Sequence, residues 1–411
     1  MNYELFIAKR IIAAKRYKSS ISSPIIKIAS IAIAIGIIIM MISVATGIGL
    51  QKKIREKIAG FNGHIQITNF DNNNSQITLK PVSTNQNFYP KFKSVSGIKN
   101  IQVYATKAGI IRTPTDFEGV VFKGVSSDYN WTFFKDYLVK GKLPKYTQKT
   151  SNEVLISEEI SKRLHINLND EFNIIFVKDN PSKPPFIRVL KVVGIYNSGF
   201  EDFDKNYVIG DIHHIQKMNK WDKNEVGGFE IILNNFDEIQ SKTKEIYQNI
   251  GSTLNCENII EKYPGIFEWI NLFDNNIFLI ITIMILVAGI NMITALLVLI
   301  LERTQMIGIL KALGSQNKSI RKIFLYNATY IILKGLFWGN LIGLLLLAIQ
   351  KYTGIITLNP NTYYVSKVPI YISFNYIILL NIGTLVLCVI MLLIPSIIIT
   401  KISPVKSIKF E

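Results

Sequence analysis

Four long apolar stretches dominate the chain: Ile28 to Leu50, Ile277 to Leu301, Ile323 to Ile349 and Tyr371 to Thr400. Three carry no charge, and the third carries one, Lys334. A helix needs roughly 20 apolar residues to cross a bilayer, and a charge at its centre costs about 2.5–3.5 kcal/mol, so each stretch reads as a transmembrane helix. Pro395 in the last predicts a kink where neighbouring groups satisfy the freed backbone. The first run is longer than the 7–15 apolar residues of a signal peptide, and no small-x-small cleavage site clearly follows it. With 49% hydrophobic residues the chain is too apolar for an ordinary soluble protein.

Lys and Arg set the expected orientation. Lys9, Arg10, Lys15, Arg16, Lys18 and Lys27 precede the first span; Arg303, Lys311, Lys318, Arg321 and Lys322 fall in the 302–326 connection; three lysines follow Thr400. The 350–369 connection has only Lys351 and Lys367. Both termini and the 302–326 connection are therefore expected in the cytoplasm. Set against Glu4, Glu302 and Glu411, the three pieces account for +11 of the net +17. The basic balance is membrane topology and makes no case for nucleic acid. Cys388 sits inside a span, so it is not expected to form a disulfide with Cys256, the other cysteine.

This yields a segmentation. Residues 1–24 form an interfacial helix, 25–50 the first span, 51–272 an outer domain, 273–301 the second span, 302–322 a connection with its own helix, 323–349 the third span, 350–370 a short outer loop, 371–400 the fourth span and 401–411 a tail. The outer domain opens with "LQKKIREKIAGFNGHIQI", a helix that Gly60 and Gly63 punctuate before an alternating strand pattern. "NEVLISEEISKRLHI" reads as strand then helix, "RVLKVVGIYNSG" as a strand, and "GGFEIILNNFDEIQSKTKEIYQNI" as strand, turn and helix. The expectation is an α-helical membrane protein with four transmembrane helices and a large α+β domain inserted on helical stalks between the first two spans.

Chemistry is scarce. There is no G-x-x-x-x-G-K-[ST] phosphate loop and no H-E-x-x-H or paired-cysteine motif. His213 and His214 are adjacent and point apart, while His64 and His165 stand alone, so a metal site is not expected. "EDFDK" (201–205) lacks calcium-loop spacing. Nothing argues for an enzyme, and no cofactor is expected on this chain.

The informative stretch is "LERTQMIGILKALGSQNKSIRKIF", residues 301–324. Thr304 is a candidate helix start and Gly314 a left-handed stop. The ten residues between are too few to span. Met306, Leu310 and Leu313 share one face with Ile307 alongside, whereas Gln305 and Lys311 fall off it. Ser315 or Asn317 would cap the next helix, and Arg321 and Lys322 would meet lipid headgroups. Two readings stay open: a helix lying in the membrane interface, or a docking knob in which Ile307, Leu310 and Leu313 fill a groove on a cytoplasmic partner and Gly308 admits close approach. In the third span, Gly335, Gly339 and Gly343 recur every four residues and predict a close helix–helix contact.

These residues resemble those of the ABC transporter permeases that include the lipoprotein-releasing (LolC/LolE) proteins, macrolide-efflux permeases of the MacB kind and FtsX. "ERTQMIGILKALGSQNKSIRKIF" resembles the family's coupling segment, E-[RK]-T-x-[ED]-I-G-[IL]-L-[KR]-A-[LM]-G-A, with Met306 where an acidic residue is common and Ser315 for Ala. "FIAKR", "IREKIAGFNGHIQI", "VVGIYNSGFEDFDKNYVI" and "ISPVKSIKFE" are similar too, and the outer-domain and C-terminal matches look more like the lipoprotein-releasing branch.

The resemblance implies an inner-membrane permease whose Glu302, Arg303, Met306, Ile307, Gly308, Leu310, Lys311, Leu313 and Gly314 couple to a separate ATPase, which holds the ATP and Mg. It further implies a second permease, identical or paralogous, lipoprotein substrates and a periplasmic lipoprotein chaperone. The chaperone would dock on the 176–189 loop through Lys178, Pro181, Lys183, Pro184 and Pro185, for which a plain proline-rich turn is the alternative. Inner faces of the first and second spans are candidates for an acyl-chain cavity. An FtsX-like or MacB-like transmitter, or a membrane-anchored sensor or adhesion protein, are the competing readings.

Overall fold

The computed structural model describes residues 3–13, 22–72, 75–176 and 184–403. In chain order it runs through α1 (Tyr3–Ala13), α2 (Ser22–Asn62), β1 (Ile65–Asn69), β2 (Val82–Ser83), β3 (Ile98–Arg112), β4 (Phe117–Val125), α3 (Thr132–Tyr137), β5 (Leu138–Gly141), β6 (Glu153–Ser157), α4 (Glu158–Leu164), β7 (Glu171–Phe176) and β8 (Phe186–Tyr196). It continues with α5 (Glu201–Asn206), β9 (Tyr207–Asp211), α6 (His213–Asn219), β10 (Glu225–Val226), β11 (Gly228–Leu233), α7 (Ile239–Asn249), β12 (Leu254–Asn258) and α8 (Ile259–Lys262). The rest is helical: α9 (Pro264–Glu302), α10 (Thr304–Ala312), α11 (Asn317–Thr353), α12 (Pro360–Tyr363), α13 (Phe374–Leu393) and α14 (Ile398–Lys401). The chain divides into a helical unit (1–51, 270–357, 367–411) and a mixed unit, the head (Lys52–Trp269 with Leu358–Ser366).

In the helical unit, α2, α9, α11 and the α13–α14 pair are long and apolar enough to cross a membrane. The third span earns its close fit from its glycine row. A methyl at Gly335 would fall 2.8 Å from Ser30 O, and at Gly343 3.4 Å from Met41 Sδ, so α11 lies directly on α2. Residues Ile320, Phe324, Ala328, Ile331 and Gly335 continue this buried stripe at helical spacing. A reciprocal amide pair, Asn340 to Asn381 (2.6 and 2.9 Å), joins α11 to α13. Pairing of this kind satisfies polar groups that lipid cannot. The fourth span is interrupted at Pro395, as its missing N–H requires.

The head is built on a ten-stranded sheet. Its pairings close a circuit: β3 pairs β4, β4 pairs β9, β9 pairs β6, β6 pairs β8, β8 pairs β7, and β7 returns to β3. The outcome is a six-stranded barrel, with β11, β1 and β12 extending from β3 as an open antiparallel flank. β4–β9 and β6–β8 are parallel, which local alternation cannot reveal. Phe122, Leu155, Ile174, Phe176, Val192 and Ile209 are buried, and Phe122 meets Phe176 edge-on at 5.7 Å. The four-span architecture with its inserted α+β head thus follows the sequence expectation.

Candidate functional site

The 302–322 connection is a tight corner. α9 ends at Glu302 and α10 begins at Thr304, so Arg303 alone breaks the helix, with φ −103° and ψ 16°. Thr304 was expected to cap the start of α10. Its hydroxyl instead donates backwards, to Leu301 O (2.7 Å) and Ile300 O (3.2 Å), satisfying the orphan carbonyls of α9. Gly314 does stop the helix at φ +89°, with Ser315 N–H reaching back to Leu310 O (2.9 Å). Neither Ser315 nor Asn317 caps α11; Gln316 holds that position without a side-chain bond.

The facing of α10 differs from the expectation. Ile307 is 0% exposed and Gly308 is buried. Met306 and Leu310 pack against Ala8 and Ile11 of α1 and Ile323 of α11. Two of the three apolar residues predicted to fill a partner's groove, Ile307 and Leu310, are therefore turned inward. Outward stand Gln305, Ile309, Ala312 and Leu313, at i, i+4, i+7 and i+8, with Ile309 47% and Leu313 78% exposed. Of the three residues predicted to fill a groove, Leu313 alone stands outward. Sequence periodicity did not predict the outward face because both faces carry branched apolar residues, and the inward one is set by the bundle core, which takes Ile307, and by α1, whose Ile7, Ala8 and Ile11 meet Met306 and Leu310.

Two cations of the connection were expected near a partner or lipid headgroups and are found elsewhere. The Lys311 ammonium donates to Ile402 O (2.7 Å), Ile399 O (2.8 Å) and Thr400 O (3.3 Å), carbonyls at the end of α14. Arg321 donates to Ser396 Oγ (3.0 Å) and Leu393 O (3.2 Å), beside the Pro395 break. Lys334 is exposed on the side of α11 that also bears Leu333, Phe337 and Trp338. Glu302 is exposed and Arg303 half-buried. The first span exposes Ile28, Ile31, Ile35 and Ile39, and the second Phe278, Ile283, Leu286 and Ile290.

In the head, β7 and β8 pair antiparallel from Glu171↔Lys191 to Phe176↔Phe186, so the predicted docking stretch 176–189 begins and ends in paired strands. Pro184 and Pro185 are exposed. Lys178, Pro181 and Lys183 lie outside the described residues. His213 and His214 do point apart: His213 Nδ1 meets Asp211 Oδ1 (2.6 Å) and His214 Nε2 meets Ser151 O (2.9 Å). "EDFDK" forms α5, where Asp204 accepts from Ser198 Oγ (2.7 Å) and Gly199 N–H (2.9 Å).

Three anchoring residues escaped the sequence reading. Lys123 and Glu230, 2% and 0% exposed at the side chain, pair at 2.6 Å, and Lys123 also donates to Phe61 O in the last turn of α2. A lysine within the apolar strand "GVVFKGV" was the available signal. Lys57 donates to Tyr364 O (2.8 Å) and Ser198 O. Tyr364, at φ 57°, stacks on Phe200 at 4.6 Å and meets Trp269 edge-on at 5.8 Å. The loop read as a separate outer connection thus gives residues 358–366 to the head.

Residues 28–241 match the MacB-like periplasmic core domain, and residues 278–404 the FtsX-like permease C-terminal region. The chain is 23% identical over 395 residues to the lipoprotein-releasing system transmembrane protein LolC of Buchnera aphidicola, covering 92% of both chains. It is 20% identical to LolC of Neisseria meningitidis, covering 99% of both. It is 19% identical to LolE of Haemophilus influenzae, covering 84% of this chain and 82% of that one. A corner helix between two spans, a MacB-like head inserted after the first span and full-length likeness to LolC and LolE agree: the chain belongs to the LolC/LolE family of ABC transporter permeases, within the MacB/FtsX-like superfamily.

Proposed function

We propose that this permease releases lipoproteins from the inner membrane to a periplasmic chaperone, driven by ATP that a separate cytoplasmic subunit hydrolyses. The observation that carries the partner half of this reading is α10. One face is locked into the bundle by Ile307, Met306 and Leu310, while Ile309, Ala312 and Leu313 are presented outward on a rigid corner. A short, firmly backed helix with an apolar outer stripe suits helix-in-groove recognition. The ATPase seats there, the two termini share its side of the membrane in keeping with the Lys and Arg distribution, and a second permease completes the assembly. Lipoprotein as the substrate rests on full-length likeness to the LolC and LolE proteins.

Two measurements test the two halves. Leu313→Asp puts a charge into an apolar contact at a cost of several kcal/mol. Co-purification of an ATPase should fall by tenfold or more while the unfolding temperature stays near that of the wild type. Ile307→Asp should lower the unfolding temperature as well. Loss of the ATPase with Ile307→Asp and no loss with Leu313→Asp would reverse the facing and refute the docking assignment. Depletion of the chain should shift a labelled triacylated lipoprotein from the outer to the inner membrane. An unchanged ratio would remove lipoprotein release and leave efflux or cell-wall signalling.

A further inference from the structure

The carbonyls at the end of a membrane helix are normally satisfied by water, a cap or a following turn. At the end of the fourth span three of them, from Ile399, Thr400 and Ile402, converge on one ammonium, that of Lys311. That ammonium belongs to α10, the helix that carries the outward stripe. A second link lies beside it. Pro395 breaks the span, and Arg321, at the start of α11, donates to Ser396 Oγ and Leu393 O across the break. Ser396 also donates to Leu393 O (2.7 Å), so the break is closed by the connection and not left to solvent.

The charge fits the place. A helix C-terminus carries partial negative charge, and Lys311 supplies a full positive one with three N–H donors to three acceptors. No contact of this sort ties Gln305, Ile309 or Leu313 to the bundle, as all three are exposed. Lys311 therefore faces away from the partner stripe while sharing its helix.

We infer that Lys311 is a positioning residue of the transport cycle, which fastens the partner-docking helix to the fourth span so that the two move as one body. This rests on the proposed reading, in which an ATPase pushes on α10. A displacement of α10 would otherwise reach the membrane through α9 and α11, its chain neighbours, and through non-directional apolar packing on α1 and the bundle core. With Lys311 in place it also reaches the fourth span, and through the Asn340–Asn381 pair the two halves of the C-terminal hairpin stay in register. Coupling through a discrete linked element of this kind is what a relay between sites requires.

The experiment uses the full-length chain purified with its ATPase. Nitroxide labels go on Gln316→Cys and Lys401→Cys, both exposed positions, since the native Cys256 and Cys388 are buried. The distance distribution is measured without nucleotide and in the ATP-trapped state. With Lys311 present it should be the same in both states. In Lys311→Met, which keeps the stem and removes the donors, it should shift or broaden on trapping, and released lipoprotein per ATP should drop by about fivefold or more. Lys311→Arg, with donors and charge restored, should recover both. Should Lys311→Met fail to accumulate, Lys311→Gln takes its place in the same measurement.

A distribution that already changes with nucleotide in the wild type overturns the inference, as does one that Lys311→Met leaves untouched. Loss of the ATPase from a folded Lys311→Met complex overturns it differently, by making Lys311 a docking residue. Absence of any co-purifying ATPase from the wild type defeats the underlying reading, and the inference falls with it.

Discussion

The contact between the first and third spans gives a sharp test, because two glycines one helical turn apart on one face, Gly339 and Gly343, are predicted to respond differently to the same substitution. A methyl at Gly339 would run into the Ile37 side chain and lie 2.8 Å from Ala34 O and 3.0 Å from Ala34 Cα, fixed backbone atoms. Carbon atoms in contact prefer about 3.5–4.0 Å. A methyl at Gly343 would lie 3.4 Å from the Met41 sulfur and 3.7 Å from Ile38 Cα, an ordinary fit. Replacing Gly by Ala in a helix gains up to about 1 kcal/mol in propensity at either site, so that term cancels between the two variants. What remains is overpacking at 339, about 1–3 kcal/mol.

At roughly 2–4 °C per kcal/mol, Gly339→Ala should unfold about 2–12 °C below Gly343→Ala. Tryptophan fluorescence of the full chain in detergent can follow this, since Trp338 sits beside the site. Equal unfolding temperatures, or a lower one for Gly343→Ala, would refute the packing of the glycine row on the first span.

Other consequences follow from the head and the C-terminal hairpin. Lys123→Met strands Glu230 as an unpaired buried charge and should cost about 3–5 kcal/mol in unfolding experiments, while Lys123→Met with Glu230→Gln should recover much of it. The His64 imidazole is held down to about 4, chiefly by burial and secondarily by Lys99, and its Nδ1 accepts from Leu233 N–H (3.1 Å), which requires the neutral ring. Because the folded value lies below the unfolded one of about 6.5, this stabilisation is complete above pH ~6.5 and is lost as pH falls toward 4. His64→Asn should flatten the pH dependence of unfolding between 7.5 and 4.5, and an unaltered slope would exclude His64 as a source. Asn340→Leu should destabilise by about 0.6–2 kcal/mol, most clearly seen as earlier unfolding in a detergent titration.

The spans were legible because a window of twenty apolar residues has no competing explanation in a folded chain of this length. The head's strands were legible one at a time, from alternation, while their pairing was not. Whether "EVLIS" joins β8 or a sequence neighbour depends on long-range contacts that leave no local trace. The corner helix shows a subtler limit. Its position, its stop at Gly314 and its apolar content all came from the residues, yet its facing did not. Ile307 and Ile309 are equally apolar, and only the helices packed around α10 decide that the first enters the bundle core and the second does not. Lys311 and Arg321 misled for a related reason. A cation beside a membrane is usually solvated, and the acceptors that claim these two, four backbone carbonyls and the Ser396 hydroxyl, lie 72–91 residues further on.

The head takes its last piece from far along the chain. Trp269 closes its continuous part, and Leu358–Ser366, with the stacked Tyr364, arrives only after the second and third spans have been made. About ninety residues separate the two, which at 5–20 residues per second of synthesis is roughly 5–18 s. During that interval Phe200 and Trp269 lack the Tyr364 ring and Lys57 one of its carbonyl acceptors. Completion of the outer domain is thereby a readout of membrane insertion: a chain whose third span fails to enter correctly cannot deliver Tyr364, and it leaves an unfinished aromatic surface for quality-control proteases to find.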